Sequence, residues 1–202
     1  MDIPMPFRAE AEIKDLADDS SEVIARAQAG DDAAFGLLFE RHYRFVYKFI
    51  YAMRGEQSAA EELTQETFLA AYKNIRGLRG EAKLQTWLCA IAKNIIYKSL
   101  RLSRKEGVQS ADEIESFEMP DEKTLAPDRQ FLSKELNQVI GAALEKLDFD
   151  KRLVFTLKEL QHLSYKEISD ITGSSIPKLK TDLRRAKIEM RDTLEPYLEA
   201  GK

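Results

Sequence analysis

The chain has little of what small folds use as staples and punctuation. A single cysteine, Cys89, stands among 202 residues, which excludes an internal disulfide framework and favours a reducing compartment. Six prolines and nine glycines leave room for long helices. The two histidines, His42 and His162, are isolated, and each reads as packing rather than as a ligand. No P-loop, His-Glu-x-x-His or Cys-x-x-Cys pattern occurs, so no enzyme activity, no cofactor and no metal site are expected. No apolar run approaches the roughly 20 residues of a membrane span. The opening "MDIPMPFRAEAEIKDLADD" is acidic and has no apolar signal core, so a cytoplasmic protein without membrane insertion is expected.

What the chain does have is charge, unevenly spread around a net −4. Residues 1–40 carry three basic and ten acidic groups, residues 41–110 thirteen against six, and residues 111–130 two against seven. The acidic total therefore conceals a basic segment, and such local asymmetry indicates a partner surface better than net charge does.

Helical periodicity dominates the pattern. Phe35, Leu38, Phe39, His42, Phe45, Val46, Phe49, Ile50 and Met53 recur at spacings of three and four, which predicts a helix capped by Asp31 or Asp32 and ended by Gly55. Further helices are predicted over about 58–75 and 84–103, separated by the Gly-punctuated basic loop "RGLRGEAK". Residues 104–130 have no sustained apolar period, many acids and two prolines, which reads as a flexible linker. From Phe131 the helical pattern returns, with a further helix near 150–160. The predicted fold is all-α: an acidic N-terminal extension (1–20), a first helical domain (21–103), the linker (104–130) and a second helical domain (131–202).

In the second domain, Ser164-Tyr165-Lys166-Glu167 has capping-box spacing. Ile168 and Ile171 would bury one face, and Gly173 is a natural C-cap. Ser174 or Ser175 then caps a helix with Pro177 in its first turn. Ile176, Leu179, Leu183, Ala186 and Met190 form its apolar stripe. The opposite face holds Pro177, Lys178, Thr181, Arg184 and Arg185, with Asp182 on the flank beside Lys178 and Arg185. Two helices joined by a tight Gly turn, the second one basic, form a helix-turn-helix able to reach phosphates and guanine edges in a major groove. The plainer alternative is a helical hairpin whose charges face water.

The first domain offers two weaker signals. "AEELTQETFLAAYKNI" is apolar on two faces, with Leu63, Thr67 and Ala70 on one and Phe68, Tyr72 and Ile75 on the other. Glu62, Glu66 and Lys73 leave a narrow polar window, either the rim of a core helix or a docking surface for a basic protein. In the following helix Trp87, Leu88, Ile91 and Ile95 are expected to pack inward. Lys93, Asn94, Tyr97, Lys98, Arg101, Arg104 and Lys105 would lie outside. That mixture suits single-stranded nucleic acid, and suits a solvated basic face equally well. Cys89 lies in an apolar helical run and reads as a small core residue.

"AQAGDDAAFGLLFERHYRFVYKF", "AEELTQETFLAAYKNI", "RGEAKLQTWLCAIAKN" and "LSYKEISDITGSSIPKLKTDLRRAK" follow one another at a defined spacing. Together they closely resemble the extracytoplasmic-function (ECF) group of bacterial sigma-70-type RNA polymerase sigma factors. The resemblance runs from about Ile24 to Leu194 and lapses only in the linker. It implies that the first domain is sigma region 2, which binds core RNA polymerase and melts the −10 promoter element. The second would be sigma region 4, which reads the −35 duplex. By position, Glu62, Leu63, Thr64, Gln65 and Glu66 would dock on the largest core subunit, with the second-largest subunit as a further contact. The loop from Arg76 through Arg79 to Lys83 would capture a flipped −10 base. Lys93, Asn94 and Arg101 would hold that strand, with Trp87 and Tyr97 beside them. Ser175, Pro177, Lys178, Lys180, Thr181, Arg184 and Arg185 would contact the −35 duplex. The resemblance also implies an anti-sigma factor as partner. Leu84, Cys89-Ala90, Lys98 and Asp182 depart from residues frequent in the family, which bears on promoter preference. A stand-alone helix-turn-helix regulator is the alternative on the residues alone, and it leaves the "LTQE" helix and the basic aromatic helix without a role.

Overall fold

The computed structural model describes residues 21–78, 83–106 and 138–200, and no strand occurs among them. Helix α1 (Ser21–Gln28) was not anticipated as a separate element. The Gln28 side chain donates to the carbonyls of Ile75 and Leu78 at 3.2 and 2.7 Å, which ties α1 to the far end of the domain.

Helix α2 (Asp32–Arg54) begins and ends as its sequence predicts. The Asp31 carboxylate accepts from the Ala34 amide at 3.0 Å, satisfying one of the orphan donors of the first turn. That bond, followed by the Arg26 guanidinium 2.6 Å away, holds the Asp31 carboxyl below its ordinary range. At the other end Gly55 adopts φ 76° and returns its N–H to Tyr51, a backbone position that only glycine takes without strain. Leu38, His42, Val46, Phe49, Ile50 and Met53 are buried as one stripe. Phe39 lies on its edge and stacks edge-on against Phe68 at 4.8 Å between centroids.

Helix α3 (Gln57–Asn74) continues into a 3-10 turn (Ile75–Gly77). Leu63, Thr64, Thr67, Phe68, Ala71 and Ile75 are buried. The two threonine hydroxyls donate to carbonyls one turn back, Ala60 at 2.6 Å and Leu63 at 2.7 Å, which is how a polar atom enters a core without a desolvation cost. Tyr72, expected inward, is half exposed.

Helix α4 (Leu84–Glu106) buries Leu84, Leu88, Cys89, Ala92 and Ile96. The buried row is thus rotated about one residue from the predicted Trp87, Leu88, Ile91 and Ile95. Trp87, Ile91 and Ile95 are instead half-buried at its margin. The reason is that α4 has neighbours on two sides, α2 and α3 on one and the second domain on the other. Apolar residues therefore occupy more of its circumference than one stripe. Only the start of the expected linker, through Glu106, is described, as the end of α4; residues 107–130 and 1–20 lie outside the described residues.

In the second domain, residues 138–146 form α5, followed by α6 (Phe149–Phe155) and a π turn (Thr156–Leu160). His162, expected to pack, is exposed and sits at φ 56°, the left-handed residue that turns the chain after the π turn. Helix α7 (Tyr165–Thr172) carries the full capping box: the Ser164 hydroxyl faces the Glu167 amide, and Glu167 Oε2 accepts from the Ser164 amide at 2.8 Å. Gly173 closes α7 at φ 72°. Helix α8 (Ile176–Ala200) buries Leu179, Leu183, Ala186 and Met190 against α6 and α7, while Ile176 at the start of its stripe is exposed. The two domains touch: α7 lies against α4, and α6 with the π turn lies against the end of α2.

Candidate nucleic-acid interface

The turn between α7 and α8 is built by residues whose roles are local. Gly173 supplies the left-handed position, and Ser169 Oγ donates to the Ser174 carbonyl across the turn at 2.7 Å. The Leu179 amide returns to the Ser175 carbonyl at 3.0 Å, the first helical bond of α8. Locking the turn in this way sets the direction of α8. Ser175, Pro177, Lys180, Thr181, Arg184 and Arg185 are all exposed along it. Thr181 Oγ1 donates to the Pro177 carbonyl at 3.0 Å. Lys180 Nζ stands 5.6 Å from the Tyr165 ring centroid, and Lys158 Nζ stands 5.1 Å from the same ring. A tyrosine face held by two ammonium groups keeps Lys180 near the surface of the turn.

Lys178 is placed differently from its neighbours. Its ammonium lies 2.6 Å from Asp182 Oδ2 and 3.3 Å from Asp150 Oδ2, so two carboxylates hold it on the flank of α8. The side-chain bond to Asp182 foremost, with Asp150 adding to it, pushes the Lys178 ammonium above its ordinary value. A cation one turn from a helix N-terminus is unfavourable, α8 has no acid in its first turn, and the two carboxylates offset that field. Of its two basic neighbours along the helix, Lys178 and Arg185, Asp182 pairs with Lys178.

On α4 the expected strand-holding residues share one side. Asn94, Tyr97 and Arg101 are exposed and Lys93 is half-buried. Trp87 is half-buried against the core, while Arg76 is exposed in the 3-10 turn. Arg79, and the side chains of Arg104 and Lys105, lie outside the described residues. This side of α4 faces the second domain across a cleft of about 260 Å³ that Lys93, Asn94, Tyr97, Asp150, Lys178 and Asp182 help to line. Lys93 Nζ donates to the Ile171 carbonyl at 2.8 Å, Lys83 Nζ lies 3.1 Å from Glu167 Oε1, and the Tyr97 and Phe149 rings meet edge to face at 5.9 Å. Burial pushes the Glu167 carboxyl up, but the Ser164 hydroxyl and amide together with Lys83 outweigh it and hold the group below its usual range.

The polar window of α3 is larger than the sequence indicated. Glu62, Gln65, Glu66 and Lys73 are exposed, joined by Leu69 at 61% and Tyr72 at 49% exposure. Leu63 and Thr64 face the core, so of the five residues from Glu62 to Glu66 only three present side chains to a partner. Leu69 was missed, although its place one turn after Gln65 and Glu66 puts it on their row. Leu69 is thus an apolar side chain set among acids on an open helix face. Among the described residues no group of His, Cys, Asp and Glu could hold a metal ion, and no helix is long and apolar enough to cross a membrane.

Comparison with known proteins follows the same two-part division. The family model of Sigma-70 region 2 matches residues 38–106, and that of Sigma-70, region 4 matches residues 137–190. The chain is 30% identical over 184 residues to the "ECF RNA polymerase sigma-E factor" of Escherichia coli (strain K12), covering 87% of this chain and 94% of that one. The protein of the same name from Haemophilus influenzae is 28% identical over 186 residues, covering 87% and 95%. Among solved structures, the chain is similar to the sigma factor RpoE in complex with the anti-sigma factor NepR from Bartonella quintana, with TM-score 0.66, 20% identity and 80% and 96% coverage. It is also similar to CnrH in complex with the cytosolic domain of CnrY, with TM-score 0.63, 20% identity and 86% and 96% coverage. These two likenesses concern the fold.

Proposed function

The chain belongs to the ECF sigma factors of RNA polymerase, and from that premise we propose how its surfaces divide the work of promoter-specific transcription initiation. Residues 21–103 act as the region 2 unit and residues 131–202 as the region 4 unit, joined by the 104–130 linker. Glu62, Gln65, Glu66 and Leu69 dock on the largest subunit of core polymerase, with Leu63 and Thr64 shaping the helix from beneath. Further contacts reach the second-largest subunit. Lys180, Thr181, Arg184 and Arg185 contact the −35 duplex, with Ser175 and Pro177 at the helix start. Arg76, Arg79, Lys83, Lys93, Asn94, Tyr97 and Arg101 hold the single-stranded −10 element beside Trp87.

The observation that carries this reading is that one chain presents both an acidic, Leu69-bearing face on α3 and an exposed cationic face on a capped helix-turn-helix. A duplex-binding regulator needs only the second. Recruitment supplies the mechanism: core polymerase brings the chemistry, while this chain brings promoter recognition and has no catalytic activity of its own. It works in the cytoplasm, and an anti-sigma factor is its second protein partner, as in the complexes of the similar folds.

Run-off transcription with core polymerase over a promoter library, with and without this protein, tests the proposal. Core-dependent initiation at a defined subset of promoters is expected. Tight specific duplex binding by the isolated chain, with no core-dependent initiation at any promoter, would instead establish the stand-alone regulator.

A further inference from the structure

Two helix C-termini lie at the contact between the domains, and each is met by a cation from the other domain. The last carbonyls of a helix lack intrahelical donors and carry its negative dipole end. At the end of α7, the Gly173 amide returns to Ser169, and Lys93 of the first domain donates to the Ile171 carbonyl at 2.8 Å. At the end of α2, Arg152 of the second domain donates through Nη1 to the Met53 carbonyl at 3.0 Å. Through Nη2 the same guanidinium binds the Glu145 carbonyl at 2.6 Å and the Leu147 carbonyl at 3.3 Å. A basic residue near a helix C-terminus is ordinarily supplied by the helix itself. Here the donors are exchanged between domains that are separated in sequence by a long acidic stretch.

Other contacts follow the same seam. Lys83 pairs with Glu167 at 3.1 Å, Tyr97 packs on Phe149, and Gly55 lies so close to Glu145 that a Cβ at position 55 would overlap its carboxylate. Lys83, Lys93 and Tyr97 all belong to the surface proposed above for the single-stranded −10 element. In this arrangement the strand path is filled by α7 and the start of α6.

We propose that this reciprocal exchange of helix caps, Lys93 on α7 and Arg152 on α2, is a latch that holds the isolated chain closed and masks its own −10 surface. Closure itself rests on the geometry alone, whereas its consequence for DNA rests on the sigma-factor reading. Docking of α3 on core polymerase separates the domains, and Lys93 exchanges a carbonyl for a phosphate. A promoter strand is thereby refused until core is present.

Single-molecule energy transfer on the full chain tests closure. Dyes are attached at Ala33→Cys and Asp192→Cys, both exposed positions outside the proposed binding surfaces. The native Cys89 is fully buried and stays unlabelled. The wild type is expected to show one narrow distribution, and Arg152→Ala and Lys93→Met should each raise the open-to-closed ratio about tenfold, the effect of one charged hydrogen bond. If Arg152→Ala loses helicity by circular dichroism, Lys93→Met, which leaves the bonds within the second domain intact, carries the test. A broad wild-type distribution, or no change in Lys93→Met, overturns the latch. Binding of a fluorescent single-stranded DNA pool to the isolated chain tests masking. Folded Arg152→Ala should bind more tightly than wild type, and equal affinity overturns the masking. The transfer measurement needs no polymerase, so closure with failed promoter-library transcription would remove the function and leave the latch. Active transcription by a chain that is open in isolation would do the reverse.

Discussion

Asp182 is the carboxylate whose position on the helix proposed to contact the −35 duplex most needs a test, and Asp182→Asn isolates its charge while keeping its size. In the structure its Oδ2 lies 2.6 Å from Lys178 Nζ, with the Asp182 side chain 14% exposed and that of Lys178 49% exposed. An i,i+4 pair with one partner half in water contributes about 0.3–0.5 kcal/mol. The order of Lys before Asp along the helix is the less favourable one. Loss of the pair should therefore lower the melting temperature by about 1–2 °C at most. The effect on DNA is larger. Lys178 would keep only Asp150, at 3.3 Å, and could turn to a phosphate. One additional phosphate contact steepens the plot of log affinity against log salt by about 0.9. Across 50 to 200 mM salt the variant should then lose about 3.5-fold more affinity than wild type. The assay is fluorescence anisotropy of the reconstituted holoenzyme on a −35 duplex as a salt series, with the variant tighter at low salt and steeper in slope. An unchanged slope, or weaker binding at every salt concentration, would refute the reasoning and show that Asp182 positions Lys178 on the DNA.

Three further outcomes are expected. Glu66→Lys should weaken core binding about tenfold or more, by placing like charge at the interface; Leu69→Ala should weaken it too, and both are read by native electrophoresis with core. Arg184→Ala should leave core binding unchanged and lower promoter affinity, with a salt slope shallower by about 0.9. Ser164→Ala should destabilise the chain by about 1 kcal/mol in calorimetry, the typical effect of a lost N-cap, because the amide of Glu167 loses its acceptor. The pH profile of wild type should carry the same signature. Glu167 is held below its ordinary 4.5, so its contribution is fully present above that value and is lost as pH falls through the lowered one. Ser164→Ala should flatten that acid limb, and an unchanged limb would disprove the assignment.

Local signals in the sequence proved accurate where the physics is local. Asp31, Gly55, the Ser164–Glu167 box and Gly173 each cap the helix end predicted for them, because caps depend on neighbours within a turn or two. The buried row of α8 follows from simple periodicity because that helix packs chiefly on one side, against α6 and α7, whereas the end of α2, which also meets the second domain, is buried all round from Phe49 to Met53. The α4 row was misjudged by about one residue because a second domain shares that helix. On α3, the resemblance groups Leu63 and Thr64 with their acidic neighbours, yet both point inward, Leu63 in keeping with its place on an apolar face of the helix. Motif membership orders residues along the chain, whereas exposure follows the direction of each Cβ.

What the sequence by itself determined is the helices other than α1, the caps named above, the helix-turn-helix and the family. All of these are written in residue types at short spacing, and the four ordered segments add specificity that no single one has. Only the tertiary structure decided which basic residues are available. Lys180, Arg184 and Arg185 look outward, whereas Lys178, Lys83 and Lys93 are engaged by Asp182, Glu167 and the Ile171 carbonyl. The last two contacts join residues some eighty positions apart, and no pattern within one helix announces them. A lysine reads the same in sequence whether it faces water, a carboxylate or the bare end of another helix; the partner that folding brings within 3 Å settles what it can do.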